Sequence, residues 1–177
     1  NGKTYQQTYC IGIPQGPVEE IGTSTTTGTE VTFWPDGSIF MSVIYKFSIL
    51  ESRLRELAYL NKKVSLRITD KREKDENGDF KISHFYSEEG LKEFAHFADE
   101  TREPLIEDVM YIDTEKNGIP VEIALKYNTS YSENIHAYVN NINTIEGGTH
   151  LLGFRRGLTR TLKKYAEDSG ILAKQKI

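Results

Sequence analysis

The sequence predicts an α+β protein, and three patterns in it carry that prediction. Apolar residues recur at three- and four-residue steps over Phe47 to Leu60 and again over Leu151 to Tyr165, the spacing of amphipathic helices. Between them, alternating runs such as Val64, Leu66, Ile68 and Phe80, Ile82, His84, Tyr86 have the period of half-buried strands. The turn signals Asn77-Gly78 and Asn117-Gly118 separate such runs, as antiparallel hairpins require.

The amino end is rich in β-formers. Lys3 to Ile13 reads as a strand closed by Pro14 and Gly16. Gly22 to Gly28 is a Thr/Gly loop, and Thr29 to Phe33 alternates as a second strand before the turn at Pro35, Asp36 and Gly37. The hydroxyls of Thr27 and Thr29 are able to bond a small polar ligand or a water held by one, although a plain loop is the ordinary use of such a run. In the helix that follows, Phe47, Leu50, Leu54 and Leu57 supply the packed face. Val64 to Ile68 and Phe80 to Tyr86 then make a hairpin, with Asp70 to Asp79 as a solvated charged turn.

Ser87 is the expected N-cap of a second helix, with Glu88 and Glu89 in its first turn and Leu91, Phe94 and Ala98 on its buried face. Three strands are expected next, over Ile106 to Asp113, Pro120 to Tyr127 and Asn134 to Asn141, joined as a meander. The chain then enters a third helix, capped by Thr149 and ending near Gly170. We place a domain boundary near Gly90, giving domains over residues 1–90 and 91–177. The second domain is then helix, three antiparallel strands, helix, with the helices on one face of the sheet.

That last helix sorts its residues by face. Leu151, Phe154, Leu158, Leu162 and Tyr165 form an apolar stripe that is expected to face a core. Arg156, Arg160 and Lys163 lie opposite it, with Arg155 and Lys164 flanking, and no acid interrupts Arg155 to Lys164. The whole chain is acidic, with 26 Asp and Glu against 22 Lys and Arg. Five cations therefore reverse the local sign, which favours a polyanion as partner. Lys and Arg on one helix face neutralise phosphates without reading bases, so a nucleic acid bound without regard to sequence is weighed equally with a solvated face.

Other chemistry is not indicated. The histidines at 84, 96, 136 and 150 lack metal-ligand spacing, no catalytic Ser/His/Asp or Cys/His set can be argued, and no glycine-rich phosphate loop is present. No catalytic residue and no metal ligand is therefore assigned. The single Cys10 fits a reducing compartment, and no run of ~18 apolar residues offers a membrane span, so a cytoplasmic location is expected. The first residue, Asn1, is not Met, which leads us to expect a piece of a longer polypeptide.

Four stretches together resemble one family. TTTGTEVTFWPD (Thr25 to Asp36), RLRELAYLN (Arg53 to Asn61), TEKNGIPVEIAL (Thr114 to Leu125) and ENIHAYVNNINTIEGGTHLLGFRRGLTRTL (Glu133 to Leu162) look like the B subunits of bacterial DNA gyrase. The likeness covers essentially the whole chain in order. The sister subunit of topoisomerase IV shares these motifs and is the alternative; a stand-alone nucleic-acid-binding α+β module is another. A mismatch-repair ATPase fragment would lack the GGTHLLGFRR stretch.

The resemblance implies that the residues up to about Gly90 are the last strands and helix of a GHKL-type ATPase sheet. The remainder would open a transducer domain of ribosomal-protein-like fold with a mainly antiparallel sheet. The threonine ending the TGT motif, Thr29, would then hold adenine through a water, with Thr27 and Gly28 beside it as cofactor-binding residues. Arg155 of the GFR motif would line a cavity through which DNA passes. ATP and Mg2+ would be cofactors of the full-length parent, and its partners DNA, the gyrase A subunit and a second copy of the gyrase B chain. The catalytic glutamate, the Mg-binding asparagine, the adenine-holding aspartate and the glycine-rich lid would all lie upstream of Asn1. The isolated chain is therefore expected to be inactive and to bind neither ATP nor Mg2+.

Overall fold

The computed structural model describes residues 2–171, which separate into two compact units, Asn1–Ile44 and Tyr45–Ile177. Gly90 thus falls inside the second unit. The α+β class is observed, with three helices and five two-stranded antiparallel sheets among the described residues.

In the first unit, β1 (Lys3–Gln6) pairs with β4 (Glu19–Thr23), with a bulge at Thr4/Tyr5. Between them β2 (Tyr9–Cys10) and β3 (Ile13–Pro14) form a small hairpin. The strand expected over Lys3 to Ile13 is therefore broken into β1, β2 and the first residue of β3. Ile11 and Gly12, both at positive φ (51° and 76°), turn the chain back on itself in a two-residue loop. The strand expected over Thr29 to Phe33 does not form either. Alternation alone makes no strand without a ladder partner, and no described strand pairs with this segment.

This unit has no buried apolar residue among those described. Tyr5, Tyr9, Ile13 and Ile21 are all more than half exposed, on two-stranded ribbons with open edges. Apolar side chains beside unpaired edges template association. The chain should accordingly self-associate, with sedimentation showing an average mass that rises with concentration. A strict monomer at high concentration, with these strands protected from hydrogen exchange, would contradict this.

The second unit begins with α1 (Phe47–Leu60), which buries Phe47 and Ala58. The hairpin of β5 (Leu66–Lys74) and β6 (Phe80–Phe85) follows. Asp70 to Lys74, expected in the turn, extends β5 instead. The turn is shorter because the Asp75 carboxylate accepts the amides of Asn77 and Asp79, each at 2.9 Å. α2 (Leu91–Ala98) has Gly90, not Ser87, at its N-cap position. Ser87 works one turn earlier, its fully buried hydroxyl accepting the Gly90 amide at 2.8 Å. Glu93 reaches back to accept the amides of Glu88 and Glu89, a task usually given to the capping residue's partner.

Gly90 is required where it stands. Its φ is +66°, and a Cβ there would lie 2.6 Å from the Lys62 stem. Lys62 is held in place because its ammonium reaches both Glu122 and the Tyr111 hydroxyl at 2.6 Å. Glu122, with Tyr111 second, holds that ammonium above the ordinary lysine range.

Of the three expected strands, two form a regular hairpin, β7 (Met110–Lys116) and β8 (Ile119–Leu125), around the Asn117-Gly118 turn. The third is replaced by β9 (Tyr138–Val139) and β10 (Ile142–Asn143), which pair with each other. Asn140 and Asn141 cause this, since both adopt positive φ (49° and 64°) and fold the segment back before it can join β8. The core of the unit gathers on α2. Phe94 is buried and stacks on Tyr59 at 5.3 Å, with His136 and Tyr138 tilted against it at 5.3 and 6.2 Å.

α3 (Thr149–Asp168) spans the expected residues, but Gly148 takes the N-cap position and Thr149 is already inside the helix. No residue of α3 is buried. Leu151, Phe154 and Leu158 are half-buried, while Leu162 and Tyr165 are 50% and 64% exposed. The apolar stripe therefore faces no core among the described residues. For the same reason α3 does not join α2 on one face of a common sheet.

Candidate nucleotide and nucleic-acid sites

Helix geometry brings the basic residues together. At 3.6 residues per turn, Arg156, Thr159, Arg160 and Lys163 fall on one side of α3, and Arg155 borders them. These five residues line an open groove of about 460 Å3. Thr159 carries no charge to mark it in the sequence, yet i, i+3 spacing from Arg156 places it in the groove. Its hydroxyl donates to the Arg155 carbonyl at 2.8 Å. Lys164, counted with the cations in sequence, does not line the groove.

The cations are not equivalent. Arg155 forms a two-pronged pair with Glu133, at 2.6 and 3.4 Å. Both side chains are about half exposed or more, so the pair contributes about 0–1 kcal/mol to stability. It does reduce the charge that Arg155 presents. Sequence inspection could not find this acid, which lies 22 residues upstream and outside the basic run. Arg156, Arg160 and Lys163 have no carboxylate partner among the described residues.

Thr27, Gly28 and Thr29 lie on an exposed segment without regular structure. A turn just before them is fixed by Ser24, whose hydroxyl donates to the Thr26 carbonyl at 2.7 Å and accepts the Thr26 amide at 3.2 Å. Open space surrounds Gly28, with nothing within 4 Å of a Cβ built there. The two threonine hydroxyls are on exposed residues, and no charged side chain lies between Thr23 and Thr29. Among the described residues, no group of three His, Cys, Asp or Glu side chains is placed to hold a metal ion.

Residues 90–177 match the profile of the family described as DNA gyrase B. Over all 177 residues the chain is 55% identical to the DNA gyrase B protein of Cytophaga aurantiaca. The chain belongs to the DNA gyrase B family. It is also 44% identical over 174 residues to the DNA gyrase B protein of Borreliella burgdorferi. It spans 37% of the length of the first of these relatives and 27% of the second.

Solved structures agree with the sequence comparison. The 43K ATPase domain of Thermus thermophilus gyrase B, in complex with an aminocoumarin, superposes on the chain with a TM-score of 0.79. It shares 31% identity, and the match covers 96% of this chain and 45% of that one. The gyrase B protein of Myxococcus xanthus shares the fold, with a TM-score of 0.77 at 22% identity, covering 94% of this chain and 48% of that one. No described helix of this gyrase B chain is long and apolar enough to cross a membrane.

Proposed function

We propose that the chain is the joining segment of a gyrase B protein, linking an ATP-binding domain to a DNA-contacting transducer domain with the boundary near Gly90. The parent is then a cytoplasmic, ATP- and Mg2+-dependent type II topoisomerase that introduces negative supercoils, acting as a dimer of gyrase B chains with the gyrase A subunit on DNA. Whole-length identity of 55% to a gyrase B protein carries the reading. The family match beginning at residue 90 supports the boundary.

Within the segment, Thr27, Gly28 and Thr29 form one edge of the adenine site, with Thr29 bonding through a water. Arg155, Arg156, Arg160 and Lys163 contact the phosphates of passing DNA, with Lys164 at the margin. The groove on α3 and the open position of the TGT loop support these assignments.

By itself the chain should neither hydrolyse ATP nor bind it usefully. One water-bridged hydrogen bond contributes about 1 kcal/mol, far below what micromolar affinity needs. Titration calorimetry of the chain with ATP is expected to show no saturation below the millimolar range. The parent protein mixed with gyrase A should supercoil relaxed plasmid when ATP is added. Micromolar ATP binding by the chain would contradict the half-site, and a parent without supercoiling would contradict the function.

A further inference from the structure

One residue connects the helix before Gly90 to the basic helix after it. Asn141 is half-buried at the β9–β10 corner, and its backbone carbonyl accepts a hydrogen bond from Arg53 at 2.6 Å. Its side-chain amide donates to the Asn61 side chain at 2.9 Å. Arg53 lies within α1 and Asn61 is the residue that follows its last turn, about two turns further on. Attachment at a single point would leave α1 free to pivot. Two points on one residue resist rotation and sliding together.

Each end of this attachment is itself fixed. Asn61 caps α1, its backbone and side-chain amides both donating to the Leu57 carbonyl at 3.0 and 2.7 Å. Arg53 is oriented by Glu56 at 2.8 Å. Tyr138, on the strand entering the corner, is half-buried beside Glu56 and Arg53, and desolvation, with the Glu56 charge second, pushes its hydroxyl up to about 12. On the other side of the corner, the Thr144 amide donates to the Ala137 carbonyl at 2.8 Å. The Thr144 hydroxyl then meets the His150 ring at 3.0 Å, in the first turn of α3. Hydrogen bonds thus tie α1 to Asn141, and the short β9–β10 hairpin carries that attachment on to Thr144 and to His150 in the first turn of α3.

We propose that Asn141 is a positioning residue that delivers displacements of α1 to the basic helix, a role that rests on the gyrase reading above. The corner suits this role because its left-handed backbone admits few alternative conformations, so it moves as a unit. Contiguity gives the route, and coupling has to be measured.

Asn141→Gly keeps the positive φ and the carbonyl for Arg53 but deletes the amide. Asn61→Ala deletes the same bond from the other side, together with the side-chain bond to the Leu57 carbonyl. In the parent enzyme, each should lower the supercoils introduced per ATP hydrolysed by roughly 2- to 30-fold while ATP hydrolysis continues. The double variant should be no worse than the more affected single one, because the Asn61–Asn141 bond is already lost in each. A merely structural role predicts that ATP hydrolysis, melting temperature and supercoiling fall together, and that result or an unchanged ratio would overturn the proposal. Hydrogen exchange on the 177-residue chain tests the link without any activity. Asn61→Ala should speed exchange at the Thr144 and Leu152 amides while the β7–β8 hairpin is unaffected. Unchanged exchange at both amides would also overturn it. A parent that lacks supercoiling before mutation would refute the functional reading alone.

Discussion

Replacing Phe94 by Ala should lower the unfolding free energy of the second unit by about 3–5 kcal/mol, the range for deleting a buried aromatic ring. The size follows from how few residues share its position. Phe47, Ala58 and Phe94 are the buried apolar residues among those described, and Phe94 alone touches α1 through Tyr59 and the β9 segment through His136 and Tyr138. Removing the ring leaves three aromatic neighbours facing a void, and a domain with a total stability of about 5–15 kcal/mol cannot lose that much lightly. Phe94→Leu keeps most of the apolar volume and forfeits the ring contacts, so about 1 kcal/mol should separate it from wild type. Urea unfolding followed by circular dichroism measures both. A loss below ~1 kcal/mol for the alanine variant would mean that the unit is held elsewhere, for instance by the Lys62, Tyr111 and Glu122 cluster.

The same residue shows what was legible in the sequence. Leu91, Phe94 and Ala98 mark α2 by spacing alone, just as Phe47, Leu50, Leu54 and Leu57 mark α1, because a helix carries its own hydrogen bonds and needs only one buried face. Strands depend on partners that spacing does not name. Thr29 to Phe33 alternates correctly and forms no strand, whereas Asp70 to Lys74 is charged and does, since Phe80 and Lys81 lie across from it. The Asn140-Asn141 pair is a turn signal in its own right, yet inside an alternating run it reads as strand. The cations of α3 and the threonines of the TGT motif were legible as types and positions. Glu133 beside Arg155 was not, because an ion pair across 22 residues is a product of the tertiary fold.

That ion pair decides how the proposed DNA surface should respond to mutation. Each phosphate contact neutralised by a cation adds about 0.9 to the slope of log affinity against log salt. Changing both Arg156 and Arg160 to Gln should therefore lower the slope by about 1.8, so that raising salt from ~50 to ~200 mM weakens the variant about 12-fold less than wild type. Both residues are exposed and unpaired among the described residues, so melting should change by no more than the ~0.5 kcal/mol typical of surface substitutions. Arg155→Gln should cost less than a full contact, because Glu133 already offsets part of its charge. Glu133→Gln should do the opposite, releasing Arg155 and steepening the slope, a result no solvated-face reading anticipates. Lys164→Gln, outside the groove, serves as the internal comparison and should leave the slope nearly unchanged. Fluorescence anisotropy with a duplex of arbitrary sequence, across a salt series, reads all of these variants. Equal slopes for wild type and the Arg156/Arg160 variant would remove DNA from the groove, and a fall in melting temperature in that variant would assign those arginines to packing against another domain.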